Sequence, residues 1–105
     1  MTTEEINANR RKYITALRRS KRQCTGELFV GDRVCAVGVA ARTFLGIRNE
    51  KQCAAYGLGN AYDQVEKVLG LEDSDYLWHM NDREYLTFRE IADRCEADWF
   101  GTEAK

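Results

Sequence analysis

The sequence has no long hydrophobic run and no apolar segment at its N-terminus. No stretch of its 105 residues approaches the ~18 apolar residues that a membrane-spanning helix requires. The first eleven residues, MTTEEINANRR, lack the apolar core of a secretory signal. We therefore expect no membrane association and a cytoplasmic location, where cysteine thiols stay reduced.

The usual motifs of metal sites, cofactors and catalysis are also missing. The four cysteines are separated by ten, seventeen and forty-one residues, so none has the CxxC or Cys/His spacing of a zinc site. The single histidine, His79, would have to combine with three distant cysteines, which the same spacing disfavours. No phosphate-binding loop or paired-carboxylate motif is present. The sequence therefore predicts no metal, no cofactor and no catalytic activity.

Composition and charge fit one soluble domain, residues 1–105, with two halves of opposite charge. The chain is 44% hydrophobic and 31% charged, which is typical of a folded globular protein. Residues 1–62 hold eleven Lys and Arg against five Asp and Glu, whereas residues 63–105 hold five against twelve. The net charge of −1 therefore combines a basic half of +6 with an acidic half of −7. This asymmetry suggests contact between the halves, head-to-tail association into a homo-oligomer, or a separate partner for each half.

The N-terminal segment predicts an amphipathic helix with one basic face. Thr2 and Glu5 have the spacing of a capping box, and the apolar residues recur with a helical period. The predicted inner residues are Ile6, Tyr13, Ile14 and Leu17. The predicted basic face consists of Arg11, Lys12, Arg18, Arg19 and Arg22. Such a face is often only solvated, but seven basic and no acidic residues lie between positions 10 and 22. It is therefore the best candidate surface for an anion, a nucleic acid or an acidic protein.

Residues 26–36 predict a short hairpin, and residues 34–45 predict a helix at the centre of the domain. A Gly-Asp pair signals the hairpin turn, and Asp32 is also the predicted N-cap of the following helix. That helix is apolar nearly all round and ends at Gly46, so we expect it to be buried. Gly38 lowers helix stability by about 1 kcal/mol relative to alanine, which predicts close packing of another backbone against it.

The rest of the chain predicts further helices. Residues 46–60 are the least patterned and predict a loop with one turn of helix. Asn60 is the predicted N-cap of a helix that ends at Gly70, and one or two helical turns follow it. The clearest helix begins with a Thr-x-x-Glu capping box at Thr87 and ends at Gly101. The predicted fold class is therefore α+β: a mostly helical single domain with a small β-hairpin packed on a central apolar helix.

Seven short motifs lie in order along most of the chain. They consist of Tyr13, Ala16 and Leu17; Gly26 and Leu28; Gly31 and Asp32; Cys35, Gly38 and Val39; Val65, Leu69, Gly70 and Leu71; Asn81 and Asp82; and Thr87, Phe88, Ile91 and Ala92. Together they resemble a family of small uncharacterised phage and prophage proteins with Cys-Cys-Leu-Gly-Val, Leu-Asn-Asp and Ser/Thr-Phe-x-x-Ile-Ala motifs. The family's second cysteine is Ala36 here, and the glycine after its Asn-Asp pair is absent. The resemblance implies phage or prophage origin, a compact mixed fold and the cytoplasm of a bacterial host, but no particular activity.

Cys35 allows one catalytic hypothesis. It lies near a predicted helix start, where N–H groups lower a thiol pKa, and His79 and Asn81 would complete a Cys/His/Asn hydrolase set. Its aliphatic neighbours instead predict a buried, inert thiol. His79 is predicted to be partly buried and to hold a loop, and Asn81 and Asp82 to stop a helix and tie a turn. Cys35, Gly38, Asn81 and Asp82 are therefore predicted to be structural residues.

The segment LTFREIADRC, residues 86–95, resembles the first half of a helix-turn-helix motif. The second half is missing, because Glu96 stands where the turn glycine belongs. The region is also acidic, which disfavours contact with DNA. We therefore predict no sequence-specific DNA binding through this segment.

Three functional hypotheses follow, in order of preference. The first is a phage-encoded accessory protein that acts by non-catalytic binding to a host macromolecule, with a host protein as the expected partner. The second is nucleic-acid or nucleotide binding through the basic residues of the N-terminal helix. The third is a cysteine-dependent hydrolase that uses Cys35.

Overall fold

Helices follow one another along the chain and are interrupted once by a β-hairpin. The computed structural model describes residues 1–101, and residues 102–105 of the predicted domain lie outside the described residues. Within the described range the elements are α1 (Thr3–Arg19), β1 (Phe29–Val30), β2 (Arg33–Val34), α2 (Ala36–Leu45), α3 (Glu50–Tyr56), α4 (Leu58–Leu69), α5 (Asp75–Trp78), a π-helical turn (His79–Arg83) and α6 (Phe88–Phe100). The predicted fold class, a mostly helical single domain with a small hairpin, is confirmed.

The central position of α2 in the core is confirmed as well. Its residues 36–41 are all buried, as the apolar sequence predicts. Helices α1, α4 and α5 pack on it, and α1 also packs on α6 and α4. Tyr13 of α1 has no exposed surface, and its hydroxyl donates a hydrogen bond of 2.7 Å to the carbonyl of Ala36. Because a buried hydroxyl requires a partner, this bond fixes α1 to the start of α2.

The hairpin lies against α2 at Gly38. Strands β1 and β2 are antiparallel, with Phe29 opposite Val34. The N–H of Cys35 donates to the carbonyl of Leu28 at 3.0 Å, which brings the chain before β1 to the start of α2. A Cβ atom at position 38 would overlap the Leu28 carbonyl oxygen and the Val34 side chain. The predicted close packing at Gly38 is therefore confirmed.

Local capping interactions set several helix ends as predicted. The hydroxyls of Thr2 and Thr87 each accept a hydrogen bond of 3.1 Å from the glutamate N–H three residues later. The two glutamate carboxylates accept in return from the threonine N–H groups, at 2.7 and 2.9 Å. Glycines in the left-handed region end α2, α4 and α6, namely Gly46, Gly70 and Gly101.

The prediction that Asp32 is the N-cap of α2 is wrong. Its neighbours Arg33 and Val34 pair with β1, so the helix starts only after the hairpin. Cys35 is the N-cap, with an extended backbone (φ −95°, ψ 177°) and a thiol that accepts from the N–H of Gly38 at 3.4 Å. Strand pairing within the hairpin outweighs the preference of aspartate for an N-cap.

The prediction of a loop with one turn of helix over residues 46–60 is also wrong, as is that of an N-cap at Asn60. Asn49 caps α3, because its side-chain oxygen accepts from the N–H of Gln52 at 2.8 Å. Gly57, with φ of 99°, breaks the helical path between α3 and α4, and α4 therefore starts three residues before the expected position. Asn60 lies inside α4, where its amide nitrogen donates to the Tyr56 carbonyl at 3.3 Å.

Within residues 1–101, no helix combines the length and the hydropathy required to cross a membrane.

Candidate functional site

The five residues of the predicted basic face lie at three different places: on two sides of α1 and beyond its end. Arg11 and Arg18 are two helical turns apart and share the side of α1 that meets α6. Lys12 and Arg19 have the same spacing one position later and share the side that meets α2. Arg22 lies beyond the end of α1. The basic residues therefore form no single continuous ridge.

The side of α1 that meets α6 is engaged within the protein. The guanidinium of Arg18 makes two ion pairs of 2.8 Å, with Asp93 Oδ1 and with Glu96 Oε1. The hydrogen bond with Asp93 raises the pKa of Arg18 above its usual value. The guanidinium of Arg11 lies 4.0 Å from the ring centroid of Phe100. The basic half and the acidic half of the chain thus meet directly between α1 and α6.

Arg22 belongs to the hairpin. Its guanidinium lies 2.7 Å from Asp32 Oδ2, and both side chains are exposed. Its backbone has φ of 58°, and its carbonyl accepts from the N–H of Val34 at 2.9 Å. The turn after α1 therefore carries Arg22 away from Lys12 and Arg19.

Lys12 and Arg19 line a groove between α1 and α2 that is open to solvent and has a volume of about 450 Å³. Three cationic side chains and three hydroxyl side chains line it, together with one alanine. The lining residues are Lys12, Thr15, Ala16, Arg19 and Ser20 from the first helix and its end, and Arg42 and Thr43 from the second. We call this feature the basic groove.

Arg42 completes the basic groove from the opposite wall, and sequence reasoning missed it. Its guanidinium donates a hydrogen bond of 2.7 Å to Ser20 Oγ, and that hydroxyl donates in turn to the Ala16 carbonyl at 2.7 Å. The arginine is therefore held across the groove from α1. One feature of the sequence could have identified it: Arg42 is the single charged residue of the apolar segment from 34 to 45.

The basic groove carries an excess of positive charge. No carboxylate lines it, and among residues 1–101 no ion pair engages Lys12, Arg19 or Arg42. The last turns of α1 and α2 contribute the negative ends of two helix dipoles, about −0.5 charge each. Against three cations, these leave an excess of about +2. Part of the basic charge stabilises the helix ends, and the remainder is available to an anion.

The thiol of Cys35 is held in its neutral form. It is 4% exposed, which confirms the predicted burial. Desolvation raises its pKa from the usual 9.0 to about 12, although hydrogen bonds from the N–H groups of Gly38 and Val37 act in the opposite direction. The position at a helix start thus lowers the pKa less than burial raises it. At neutral pH the thiol caps α2 and is not a nucleophilic thiolate.

The other members of the proposed hydrolase set have separate partners. His79 is exposed, so its predicted partial burial is wrong, and its Nδ1 lies 3.3 Å from Glu84 Oε2. This contact spans the π-helical turn. In the described part of the chain, no hydrogen bond links His79 to Cys35 or to Asn81.

Asn81 is a fully buried polar residue that joins three parts of the fold. Its Oδ1 accepts from the N–H of Ala36 at 3.0 Å and from Gln23 Nε2 at 2.8 Å. Its Nδ2 donates to the Cys24 carbonyl at 2.8 Å and to Asp82 Oδ1 at 2.6 Å. The prediction that Asn81 and Asp82 stop a helix is wrong, because both lie inside the π-helical turn. Their side chains nevertheless tie this turn to the rest of the protein.

Gln23 is a second structural residue that sequence reasoning missed. Its Nε2 also donates to the Leu86 carbonyl at 2.8 Å, and its Oε1 accepts from the N–H of Phe88 at 3.0 Å. It therefore connects the segment after α1 to the start of α6. Nothing in its local sequence distinguishes it from an exposed glutamine.

No protein-family model, curated protein or solved structure matches this chain. The resemblance to the phage and prophage family stays a prediction from the motifs. Within residues 1–101, no group of three or more His, Cys, Asp or Glu side chains is arranged to hold a metal ion. The basic groove is the feature of the described chain that best fits a binding site, because within residues 1–101 no ion pair neutralises its three cations.

Proposed function

We propose that the protein is a phage- or prophage-encoded accessory protein that acts by non-catalytic binding to a host macromolecule. The basic groove between α1 and α2 is the binding surface. The observation that carries this proposal is the convergence of Lys12, Arg19 and Arg42 in a groove without a carboxylate. The phage origin rests on the resemblance of the seven motifs.

The state of Cys35 supports binding rather than covalent catalysis. A cysteine nucleophile requires a thiolate fraction at working pH, and the buried thiol with a pKa of about 12 supplies almost none. Its sulfur is also occupied as the cap of α2. The exposed His79 interacts with Glu84 and not with this thiol.

The shape of the basic groove supports a macromolecular partner. It is open to solvent and lined by the C-terminal halves of two helices, whereas small-molecule sites enclose most of their ligand. An anionic surface or strand lying along the groove would contact both walls. The excess charge would also accelerate its association.

Affinity capture from a bacterial host lysate tests this proposal when a charge-matched control is included. Lys12→Glu/Arg19→Glu reverses two charges in the groove. Lys51→Glu/Arg89→Glu reverses two charges at exposed positions in the first turns of α3 and α6, where glutamate is well tolerated. We expect wild type and control to capture the same stoichiometric component and the groove variant to lose it.

Two measurements complete the experiment. Equal thermal midpoints of the two double variants show that the groove variant is folded. Capture of the same component by the groove variant at wild-type levels would contradict the proposal, as would the absence of any component that wild type and control share.

A further inference from the structure

We infer that the basic groove binds phosphate groups of a nucleic-acid backbone. This inference rests on the proposed function and names the chemistry of its partner. The site differs from the basic face predicted from sequence, because Arg18 and Arg22 are paired elsewhere and Arg42 belongs to it.

The mixture of side chains in the groove favours phosphate over a carboxylate surface. Thr43 places a hydroxyl group among three cations, whereas the hydroxyls of Thr15 and Ser20 already donate to the carbonyls of Arg11 and Ala16. Hydroxyl groups and arginine or lysine side chains are the donors that most often contact phosphate oxygens in nucleic-acid complexes. Arginine in particular presents several N–H groups that can contact two phosphate oxygens at once.

The hydrogen bond between Arg42 and Ser20 prepares the groove for an anion. It holds the guanidinium over the groove before any ligand arrives, so less side-chain freedom is lost on binding. Only part of the guanidinium is used, because the Nη2 bond to Ser20 leaves other N–H groups to donate. On α1, the side chains of Lys12 and Arg19 lie two turns apart, about 10 Å along the axis. This spacing lets the groove contact more than one phosphate of a strand.

The lining predicts binding that is tolerant of base sequence. The groove contains no aromatic side chain on which a base could stack. Lys12 Nζ lies 5.8 Å from the ring centroid of Phe44, but that ring is not part of the lining. Affinity would then come mainly from phosphate neutralisation and would fall as salt rises.

Fluorescence anisotropy with a labelled single-stranded 20-mer of mixed sequence tests the inference. Three phosphate contacts give a slope of log K against log salt of about −2. Arg42→Gln should weaken binding about fivefold at low salt and reduce the slope by about 0.7. Arg48→Gln removes one exposed charge outside the groove and should leave both values nearly unchanged.

A labelled polyglutamate peptide of similar length and charge separates phosphate recognition from general attraction to anions. We expect it to bind at least about tenfold more weakly than the oligonucleotide at equal salt. Equal binding of the two probes would overturn the inference. Absence of oligonucleotide binding at low salt, or equal losses for Arg42→Gln and Arg48→Gln, would also overturn it.

Nuclease treatment of the captured lysate material distinguishes this inference from the proposed function. Nuclease-sensitive capture that depends on the groove supports both. Nuclease-resistant capture that depends on the groove supports the proposed function and overturns the phosphate inference. Capture that does not depend on the groove overturns the proposed function, while the anisotropy measurements still decide whether the groove binds an oligonucleotide.

Discussion

The side chain of Asn81 accepts a hydrogen bond of 3.0 Å from the backbone N–H of Ala36, which lies 45 positions earlier in the chain. Ala36 is the first residue of α2, and N–H groups in a first turn have no partner within their own helix. Asn81 therefore supplies from the π-helical turn a cap that a neighbouring side chain usually supplies. Its amide nitrogen binds the Cys24 carbonyl at the same time.

Removal of this amide should destabilise the protein strongly. Asn81→Ala leaves the buried Ala36 N–H and the partly buried Cys24 carbonyl without their partner, and each unsatisfied buried group costs about 1–3 kcal/mol. We expect urea denaturation to show a loss of about 3 kcal/mol in the free energy of unfolding.

Asn60→Ala is the control for this change. Asn60 is exposed and makes one hydrogen bond of 3.3 Å, so its loss should change stability by less than about 0.5 kcal/mol. Similar losses for both variants would contradict the assignment of Asn81 as a cap of α2.

Two glycine-to-alanine changes in helices should have opposite effects. At Gly38 the new methyl group meets the Leu28 carbonyl oxygen and the Val34 side chain, and overpacking of this kind costs about 1–3 kcal/mol. At Gly59, in α4, no atom beyond its chain neighbours and the adjacent backbone of its own helix lies within 4 Å of the new methyl group. Alanine there should raise stability by up to about 1 kcal/mol through helix propensity and a less flexible unfolded chain.

Thermal unfolding checks this pair directly. For a domain of this size, 1 kcal/mol corresponds to about 4–8 °C in Tm. Gly38→Ala should lower Tm and Gly59→Ala should raise it. A rise for Gly38→Ala would show that the hairpin does not contact α2 closely at this position.

The features that the sequence predicted correctly are those decided within a few residues. The capping boxes at Thr2 and Thr87 involve partners three positions away, and Gly46 ends α2 through its own backbone conformation. The burial of residues 36–41 follows from their continuous apolar composition. Short-range chemistry was therefore sufficient for several helix ends and for the core helix.

The Asn49 cap of α3 is local and was missed, but the composition of the basic groove depends on contacts between distant segments. Asp32 has the chemistry of an N-cap, but it lies in the turn of the hairpin in which Val34 pairs with Phe29, five positions away, so the helix starts only after the hairpin. Arg42 and Arg19 line the same groove only because α1 packs against α2. The partners of Arg18 lie 75 and 78 positions away on α6. No local pattern could have told which arginines of α1 are paired internally and which face the groove.

Alkaline pH should destabilise the protein through its buried thiols. Burial raises the pKa of Cys35 and of Cys95 to about 12, from a usual value of 9.0 that holds in the unfolded chain. Below pH 9 both states keep the protons and stability is complete. Between pH 9 and 12 the unfolded state releases protons that the folded state retains, so stability falls by roughly 1 kcal/mol per pH unit for each thiol.

Urea denaturation at several pH values between 8.5 and 10.5, with a phosphine reductant present, measures this slope. Cys35→Ser removes one titrating group and keeps an oxygen that can accept from the Gly38 N–H as an N-cap. The slope of stability against pH should therefore become less steep by roughly 1 kcal/mol per unit. An unchanged slope would show that Cys35 ionises equally in both states and is not buried.

Arg18 and Arg19 are adjacent in sequence, but their replacement by glutamine should have different consequences. Arg18→Gln removes the exposed ion pairs with Asp93 and Glu96, which should cost at most about 1 kcal/mol in urea at low salt. This loss should shrink in 0.5 M NaCl because salt screens exposed charges. Arg19→Gln breaks no ion pair to a described residue and should leave stability nearly unchanged.

The binding of the labelled 20-mer should show the reverse order. Arg19→Gln removes a charge from the basic groove and should weaken binding about fivefold, whereas Arg18→Gln removes a charge that α6 already neutralises and should weaken it less than about twofold. The two variants carry the same net charge and differ by one position on the same helix, so overall electrostatics cancel in the comparison. Equal losses of affinity would mean that the ligand responds to the total charge of α1, and the basic groove would then have no distinct role.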